Sequence, residues 1–231
     1  MSFVPYRDHR GPPRRKPLDR AQVVRAALDL LDEVGLDELT MRRLAEKLGV
    51  KAASLYRHVR DKDELLVLVA DEIAGEIPEI APTGSWRDQL TEMARVNRRG
   101  LLAHRDAARV LASTPPIGPR RLRHIEAVLR VLRSSGLSDR DAARAAYHLN
   151  NFVTEFAADE ARYEAAAAAM GVTRRKMLGE ARKQFRALPR EEFPLLVALA
   201  DHLAEDDPDG LFQFGLEVLV RGLERVARGR D

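Results

Sequence analysis

Apolar residues recur three or four positions apart along most of this chain, a spacing that places them on one face of an α-helix. The spacing holds from about residue 19 onwards and is interrupted mainly by prolines and glycines. No alternation of apolar and polar residues persists for more than a few positions, so strands are not indicated. The pattern predicts an all-α fold.

The sharpest local signal is a pair of short helices joined by a tight turn near the N-terminus. A first helix, capped by Asp19 and stopped by Gly35, precedes the pair. Thr40 can cap the first member of the pair, and Gly49 can end it by adopting the left-handed backbone. The second member restarts at Ala52 and leaves polar and basic side chains outside. Such a pair is a helix-turn-helix, whose protruding helix fits the major groove of DNA.

Further helices are predicted along the rest of the chain. Asp61 and Glu64 make a capping box that starts the fourth helix, and Pro78 ends it. Two prolines and a glycine between residues 78 and 85 interrupt the periodicity and mark the best domain boundary. The helices predicted beyond it cover residues 85–101, 105–114, 120–134, 139–170, 173–189, 191–205 and 208–227.

These features divide the chain into three segments. Residues 1–17 are a flexible basic arm, residues 18–65 are the helix-turn-helix domain, and residues 66–231 are a larger helical domain. The arm has two interpretations, a solvated tail or an Arg-rich arm that enters the minor groove beside the helix-turn-helix.

The last predicted helix has an apolar face wider than one packing partner requires. It is either a fully buried central helix or an interface with a second copy of the chain. The second interpretation is favoured, because a helix-turn-helix reader normally needs a two-fold partner to span two half-sites. The apolar positions are Leu211, Phe214, Val218, Leu219, Leu223 and Val226.

Basic and acidic residues are unbalanced only at the N-terminal end of the chain. Residues 1–65 hold fourteen basic and eleven acidic groups, whereas the other 166 residues hold twenty-five of each. The whole formal net charge of +3 therefore lies at the N-terminal end. An ordinary helical hairpin with a solvated face is the alternative, but a basic surface confined to one module is typical of nucleic-acid binding.

Composition excludes several other classes of protein. The chain has no cysteine, no apolar run of the roughly eighteen residues that span a bilayer, and no apolar stretch typical of a signal peptide, so we expect a cytoplasmic protein. Its six histidines are scattered without metal-ligand spacing, and there is no Gly-rich phosphate loop. We therefore expect no catalytic residues, no metal site, no cofactor and no enzymatic activity.

The run LDRAQVVRAALDLLDEVGLDELTMRRLAEKLGVKAASLYRHVRDKDELL resembles the DNA-binding domain of the TetR family of transcriptional repressors. The runs GSWRDQL, SGLSDRDAARAAYHLNNFV and LFQFGLEVLVRGLE are similar, in order and spacing, to the effector domain of the family's tetracycline-repressor subgroup. The resemblance implies a homodimer on a palindromic operator, joined by helices near 139–170 and 208–227. The DNA-contacting positions that it implies, with Thr40 added at the head of the first helix of the pair, are Thr40, Arg42, Lys51, Ala52, Ala53, Ser54, Tyr56, Arg57, His58 and Lys62.

The effector site departs from the pattern of that subgroup. Leu111 stands where the subgroup has a histidine that ligates the magnesium accompanying the drug, and a leucine cannot ligate a metal. Met93 and Asn97 replace the asparagine and the aromatic residue that hold the drug. We therefore expect a small, largely apolar effector rather than magnesium–tetracycline. The expected lining and matching residues are Met93, Asn97, His104, Leu111, Thr114, Pro116, Val128, Asn151, Phe152 and Asp159.

The function that follows is a ligand-responsive regulator, most simply a repressor, released from operator DNA by its effector. The alternative is an architectural DNA-binding protein without an effector. The second domain argues against this alternative, because it is far larger than dimerisation requires.

Overall fold

The computed structural model describes residues 18–229, with the exception of Pro82, and the basic arm predicted at residues 1–17 lies outside the described residues. Within that part the backbone forms twelve α-helices and no strand, which agrees with the predicted fold class. In chain order the helices are α1 (Arg20–Val34), α2 (Met41–Leu48), α3 (Ala52–Leu55), α4 (Lys62–Glu76), α5 (Trp86–Leu102), α6 (Ala107–Ser113), α7 (Pro119–Ser134), α8 (Asp139–Ala169), α9 (Arg174–Arg186), α10 (Pro194–Ala198), α11 (Ala200–Leu203) and α12 (Pro208–Arg228).

The helix ends follow the capping chemistry of the sequence. Asp19 forms the expected capping box, the Thr40 hydroxyl accepts the backbone N–H of Arg43 in the first turn of α2, and Gly49 ends α2 with φ 64°. Only one of the two hydrogen bonds of the capping box predicted at α4 is formed. Asp61 accepts from the backbone of Glu64, but the Glu64 carboxylate accepts from Arg60 N at 2.7 Å instead of reaching back to Asp61.

The first four helices share one small core. Leu31 of α1, Leu44 of α2, Leu55 of α3 and Leu65 of α4 are fully buried in it. Helix α4 then leaves this group and packs against α5, α6 and α7, so it belongs to both parts of the molecule. Any displacement of α4 therefore also displaces the helices of the DNA-binding domain that pack against it.

The larger domain is built around α5, α7, α8 and α12. Phe212 of α12 is fully buried, and its ring stacks on Phe152 of α8 with centroids 5.3 Å apart. Arg98 of α5 lies over the Phe212 ring and pairs with Glu160 at 2.8 Å, so its buried charge is compensated.

The segment between α8 and α12 is more loosely packed. No residue of α9 is buried, and the single helix predicted over 191–205 is two short helices, α10 and α11. Leu199 ends the first of these and precedes the second, with φ −101° and ψ 8° that do not continue a helix. Among residues 18–229, none of the helices combines the length and the apolar character that a bilayer crossing requires.

Candidate DNA interface and effector cavity

The surface that follows the turn at Gly49 carries the candidate DNA contacts. Leu55 and Val59 anchor it, since both side chains are almost completely buried. Lys51 and Arg57 lie on the outer side and are exposed. Tyr56 is also exposed, at 53%, which is unusual for a large aromatic side chain without a partner.

Ion pairing separates the basic residues of this region into two groups. Arg43 pairs with Glu38 at 2.8 Å. Lys47 pairs with Glu33 at 2.5 Å, and Arg60 pairs with Glu64 at 3.1 Å. Lys51 and Arg57 make no ion pair with any described residue. Two unneutralised cations are therefore exposed on this surface, where a DNA phosphate or a base edge can approach them.

The remaining predicted DNA-binding residues have partners or are partly buried. Thr40 uses its hydroxyl to cap α2, and the Lys62 ammonium donates to Leu36 O at 3.3 Å. The guanidinium of Arg42 lies 3.7 Å from Glu46, and both side chains are largely exposed. Ala53 is exposed, whereas the partly buried members of the set are Ala52, Ser54 and His58.

The second helix of the pair is shorter than the predicted reading helix. Regular α-helix covers Ala52–Leu55, and the chain continues through Tyr56 with φ −66° and ψ −8° as a tighter turn. The amides of His58 and Val59 both donate to Leu55 O, which crowds two bonds onto one carbonyl and ends the regular helix. The DNA-facing surface is therefore a single α-helical turn followed by a tighter turn.

A polar contact joins the helix-turn-helix to the larger domain. His104 lies between two carboxylates, with Nδ1 2.8 Å from Asp32 of α1 and Nε2 2.7 Å from Glu76 of α4. Asp106, at φ 57°, accepts the backbone N–H of Leu36 at 2.8 Å. We call this set of five residues the interdomain contact.

The pKa of His104 is raised from its ordinary value of 6.5. Burial disfavours the charged ring, but the hydrogen bonds to Asp32 and Glu76 favour it and outweigh the burial. The imidazolium form of His104 therefore strengthens the interdomain contact, because it can donate to both carboxylates at once.

A small cavity of about 40 Å³ lies between α5, α7 and α8. Helix α5 contributes Met93 and Asn97, which are one turn apart, and α7 contributes Val128. All three residues were expected to line the effector site. A cavity of this size holds little more than one water molecule. The complete lining is Met93, Ala94, Asn97, His124, Val128, Ala146, Leu149, Asn150 and Val153.

Three of the ten predicted effector residues therefore meet at one cavity, and the structure places the other seven elsewhere. His104 belongs to the interdomain contact, 2.8 Å from Asp32. Phe152 turns toward α12, where a Cβ on Gly215 would collide with its ring. Asn151 is partly buried on α8 without lining the cavity.

The last four of these residues lie near α6 or on the surface of α8. Leu111 is partly buried within α6, and the hydroxyl of Thr114, which follows α6, donates to Val110 O at 2.8 Å. Pro116 is exposed in the turn that follows. Asp159 is exposed and pairs with an arginine one turn along α8.

Sequence reasoning missed six lining residues, of which His124 is the most informative. His124 is four residues before Val128 on α7, and Ala146 is four residues before Asn150 on α8. Residues four apart lie on the same face of a helix, so this spacing was the signal in the sequence that could have identified His124. Burial lowers the pKa of His124, so its imidazole is neutral at pH 7.

Helix α7, which borders the cavity, is tied to α4 at its N-terminus. The buried carboxylate of Asp71 on α4 accepts the backbone N–H groups of Arg120 at 2.8 Å and Arg121 at 3.0 Å. These donors belong to the first turn of α7, so Asp71 caps one helix from another. Gly118 is required here, because a Cβ would collide with the Asp71 carboxylate.

Arg121 fixes the same junction from the other side. Its buried guanidinium donates to the Thr114 hydroxyl at 2.8 Å and to Leu111 O at 3.1 Å. The end of α6, the start of α7 and the middle of α4 therefore form one hydrogen-bonded unit, which we call the α4–α7 junction.

A larger opening of about 530 Å³ lies outside this junction, between the start of α5 and Gln213 of α12. It is an open surface cleft lined mainly by polar groups, and the Arg95 guanidinium that borders it is bonded to Gln213 at 2.6 Å. Ligand sites are usually enclosed and mainly apolar, so the smaller cavity is the better effector site despite its volume.

Comparison with known proteins agrees with this geometry. Residues 23–69 match the family described as bacterial regulatory proteins, tetR family, and residues 78–227 match the tetracyclin repressor-like C-terminal domain. The class A tetracycline repressor of Escherichia coli transposon 1721 is 38% identical over 208 residues, which cover 88% of this chain and 89% of that protein. The repressor DrrR1 of Streptomyces coeruleorubidus is 33% identical and covers 97% of this chain and 83% of its own length.

Solved structures give the same result. The Streptomyces coelicolor TetR family protein ActR in complex with actinorhodin has a TM-score of 0.82 and 39% identity, over 93% of this chain and 99% of that one. Apo ActR has a TM-score of 0.80. Both figures extend through the effector domain and do not rest on the helix-turn-helix alone.

The fold, the exposed basic turn and the mainly apolar cavity define the class: this is a ligand-responsive transcriptional repressor that reads DNA with a helix-turn-helix. The chain belongs to the tetR family of bacterial regulatory proteins, in both its N-terminal and its C-terminal domain. The resemblance seen in the sequence is thereby confirmed.

Proposed function

We propose that this repressor binds a palindromic operator as a homodimer and leaves it when an uncharged, mainly apolar molecule enters the cavity between α5, α7 and α8. The observation that carries the proposal is the α4–α7 junction. Helix α7 borders the cavity, its first turn is capped by Asp71, and Asp71 belongs to the helix that also packs on α1.

The outer face of α12 supports the homodimer. Phe214 is 69% exposed and Val218 is 55% exposed, so the interpretation of α12 as a fully buried helix is wrong. Nothing lies within 4 Å of a Cβ placed on Gly222, on the same helix. A second copy is the occupant that fits this face, since two half-sites of a palindrome need two reading heads related by a two-fold axis.

Helix α8 supplies more of the same surface. Tyr163 is 44% exposed and Met170 is 66% exposed near its C-terminal end. We propose that α8 and α12 of two copies pack together, as the resemblance implied for residues 139–170 and 208–227.

The effector is proposed to bind without magnesium. The carbonyl of Leu111 is already bonded to Arg121, and the leucine side chain offers no metal ligand. None of the described residues form a cluster of three or more metal-ligating side chains. The related protein ActR has been solved in complex with actinorhodin, so an uncharged derivative of actinorhodin, with its carboxyl groups esterified, is the first probe to try.

The size of the cavity explains how binding could act on DNA. Sites for drug-sized ligands enclose roughly 300–1,000 Å³, so a polycyclic molecule must push α7 away from α5 and α8 to enter a cavity of about 40 Å³. Because Asp71 ties α7 to α4, α4 would move with it and change the separation of the two heads. A tenfold loss of DNA affinity needs only about 1.4 kcal/mol of preference for the open form.

The test is a fluorescence-polarisation titration on a labelled operator that the protein itself selects from random duplexes. The esterified, uncharged derivative of actinorhodin should release the DNA equally well with and without magnesium. Tetracycline with magnesium should leave the complex intact. Magnesium-dependent release by tetracycline would contradict the effector assignment, and an absence of release by any uncharged compound would favour an architectural DNA-binding protein.

A further inference from the structure

We propose that Asn97 and His124 are the specificity-determining pair of the effector site, and that they select an uncharged molecule carrying a hydroxyl group close to a carbonyl group. The inference rests on the proposed function, because it assigns the chemical class of the effector. Asn97 stands where the tetracycline-responsive proteins were expected to have an aromatic residue, and His124 was not among the expected lining residues.

The first observation is that Asn97 is buried without a hydrogen-bond partner. The residue is only 8% exposed, and its amide makes no hydrogen bond with any described residue. The amide atoms are not among the fully enclosed polar atoms that lack a partner, so they remain accessible to water or to a ligand. Asn97 lines the cavity, and a ligand in the cavity is the partner that its amide can reach.

The second observation is independent and comes from α7. His124 lines the same cavity, one turn from Val128, and its ring nitrogens also lack a partner within residues 18–229. The only influence on its pKa is burial, which keeps the ring uncharged. Helices α5 and α7 thus each present one polar side chain beside apolar ones, and α8 adds the exposed Asn150 to the same lining.

These groups define the ligand that the site prefers. Asn97 offers two N–H donors and a carbonyl acceptor, and a neutral imidazole offers one donor and one acceptor. A hydroxyl can donate and accept at once, while a carbonyl only accepts, so together they satisfy both side chains. No Asp, Glu, Lys or Arg lines the cavity, so a charged effector would find no counter-ion there.

The third observation is the size of the cavity. About 40 Å³ accommodates a hydroxyl-sized group and not a ring. The polar end of the effector therefore enters a space that already exists, and the apolar body must widen the site. In this arrangement the polar pair decides which molecules are accepted, and the apolar walls Met93 and Val128 supply most of the affinity.

The experiment compares two neutral bicyclic ketones, α-tetralone and the same ketone with one alcohol hydroxyl on its saturated ring. Both are titrated by NMR into the full-length protein without DNA. The wild type should bind the hydroxylated ketone about tenfold more tightly. Asn97→Leu and His124→Leu should each cut this preference to less than threefold, whereas Asn151→Leu, a matched change outside the cavity, should preserve it.

A second measurement is independent of the probes. Because no protein group pairs with the Asn97 amide, Asn97→Leu breaks no hydrogen bond within the protein and should not lower the Tm of the ligand-free protein by more than about 2 °C. The same limit applies to His124→Leu. A larger fall in Tm for both variants would show that the two side chains have partners in the protein.

The outcomes separate this inference from the proposed function. Equal binding of the two ketones, no binding of either, or a preference that survives both substitutions overturns the inference. Release of operator DNA is measured separately by fluorescence polarisation. A preference that depends on Asn97 and His124 without any release of DNA supports the inference and contradicts the proposed function.

Discussion

The reading surface and the effector cavity are built in opposite ways. The reading surface comes from one continuous stretch, Lys51 to Val59, in which two buried anchors hold the exposed side chains outward. The cavity draws on three helices whose lining residues are spread from Met93 to Val153, and most of its lining is buried or partly buried. One site is complete as soon as its helical turn forms, whereas the other exists only after the domain has packed.

This difference explains how the two sites can be linked. A surface of local origin moves as a rigid unit with the helix that carries it, while a cavity between helices changes shape when any of its walls shifts. The α4–α7 junction connects the two, since Asp71 of α4 holds the first turn of α7. The predictions below test whether each site depends on the features assigned to it.

The largest expected effect comes from separating the two subunits of the proposed dimer. Phe214→Glu places a charge on the exposed apolar face of α12 and should convert the dimer to a monomer at micromolar concentration, as measured by light scattering. Operator affinity should fall by about two orders of magnitude or more, because each head then binds its half-site alone. Ile117→Glu is the control, since Ile117 is equally exposed but lies in the turn before α7. A Phe214→Glu protein that stays dimeric would move the interface away from α12.

The next effect concerns the reading surface. Arg57→Ala removes an unpaired cation and should cost roughly 1–3 kcal/mol of operator binding, concentrated at particular base pairs. Lys62→Ala should weaken all sequences alike, as expected of a phosphate contact. Arg60→Ala is the matched control, because Arg60 is already paired with Glu64. A uniform loss across all sequences for Arg57→Ala would show that Arg57 does not read bases.

A moderate effect is expected at the α4–α7 junction. Asp71→Asn weakens the two hydrogen bonds to the first turn of α7 and should lower the free energy of unfolding by about 1–2 kcal/mol. More importantly, effector should still bind but release less DNA. Glu72→Gln, which removes only the partly exposed pair with Arg120, should change neither quantity by more than about 0.5 kcal/mol. Normal release by Asp71→Asn would mean that the coupling runs elsewhere.

The smallest effect is the pH dependence of the interdomain contact. Because the folded-state pKa of His104 is raised above 6.5, the stabilisation that its charge supplies is fully present below pH 6.5 and is lost as pH rises through the folded pKa. Thermal unfolding of the wild type and of His104→Gln between pH 5 and pH 9 measures it. The two proteins should differ in Tm at low pH and converge at high pH. A difference that grows with pH would contradict the assigned direction.

Most of the fold could be predicted from the sequence because its helix ends are marked locally. Asp19 and Thr40 each cap the helix that they were expected to cap, and Gly49 has the expected left-handed backbone. The helix over 191–205 was harder to predict. Its apolar residues, which stay largely exposed, give no packing face to reveal the break at Leu199.

The effector site was less predictable, and the reason is physical. His104 lies on a partly apolar stretch near the cavity helices, but the carboxylates that hold it, Asp32 and Glu76, are 72 and 28 residues away. His124 belongs to an ordinary amphipathic helix, and only the packing of α5 and α8 against it makes it a lining residue. Contacts between distant residues decide such sites, and helical spacing alone does not contain them.

The central claim is that filling the cavity moves the reading heads through Asp71. It is tested by double electron–electron resonance on Glu46→Cys, which places one spin label on the exposed side of α2 in a chain that has no cysteine of its own. Adding the esterified derivative of actinorhodin, or the uncharged compound that releases DNA in the titration, should shift the distance between the two labels of the dimer. The same addition to the Glu46→Cys protein carrying Asp71→Asn should leave that distance nearly unchanged. Bound ligand with an unaltered distance in the protein that retains Asp71 would contradict the account.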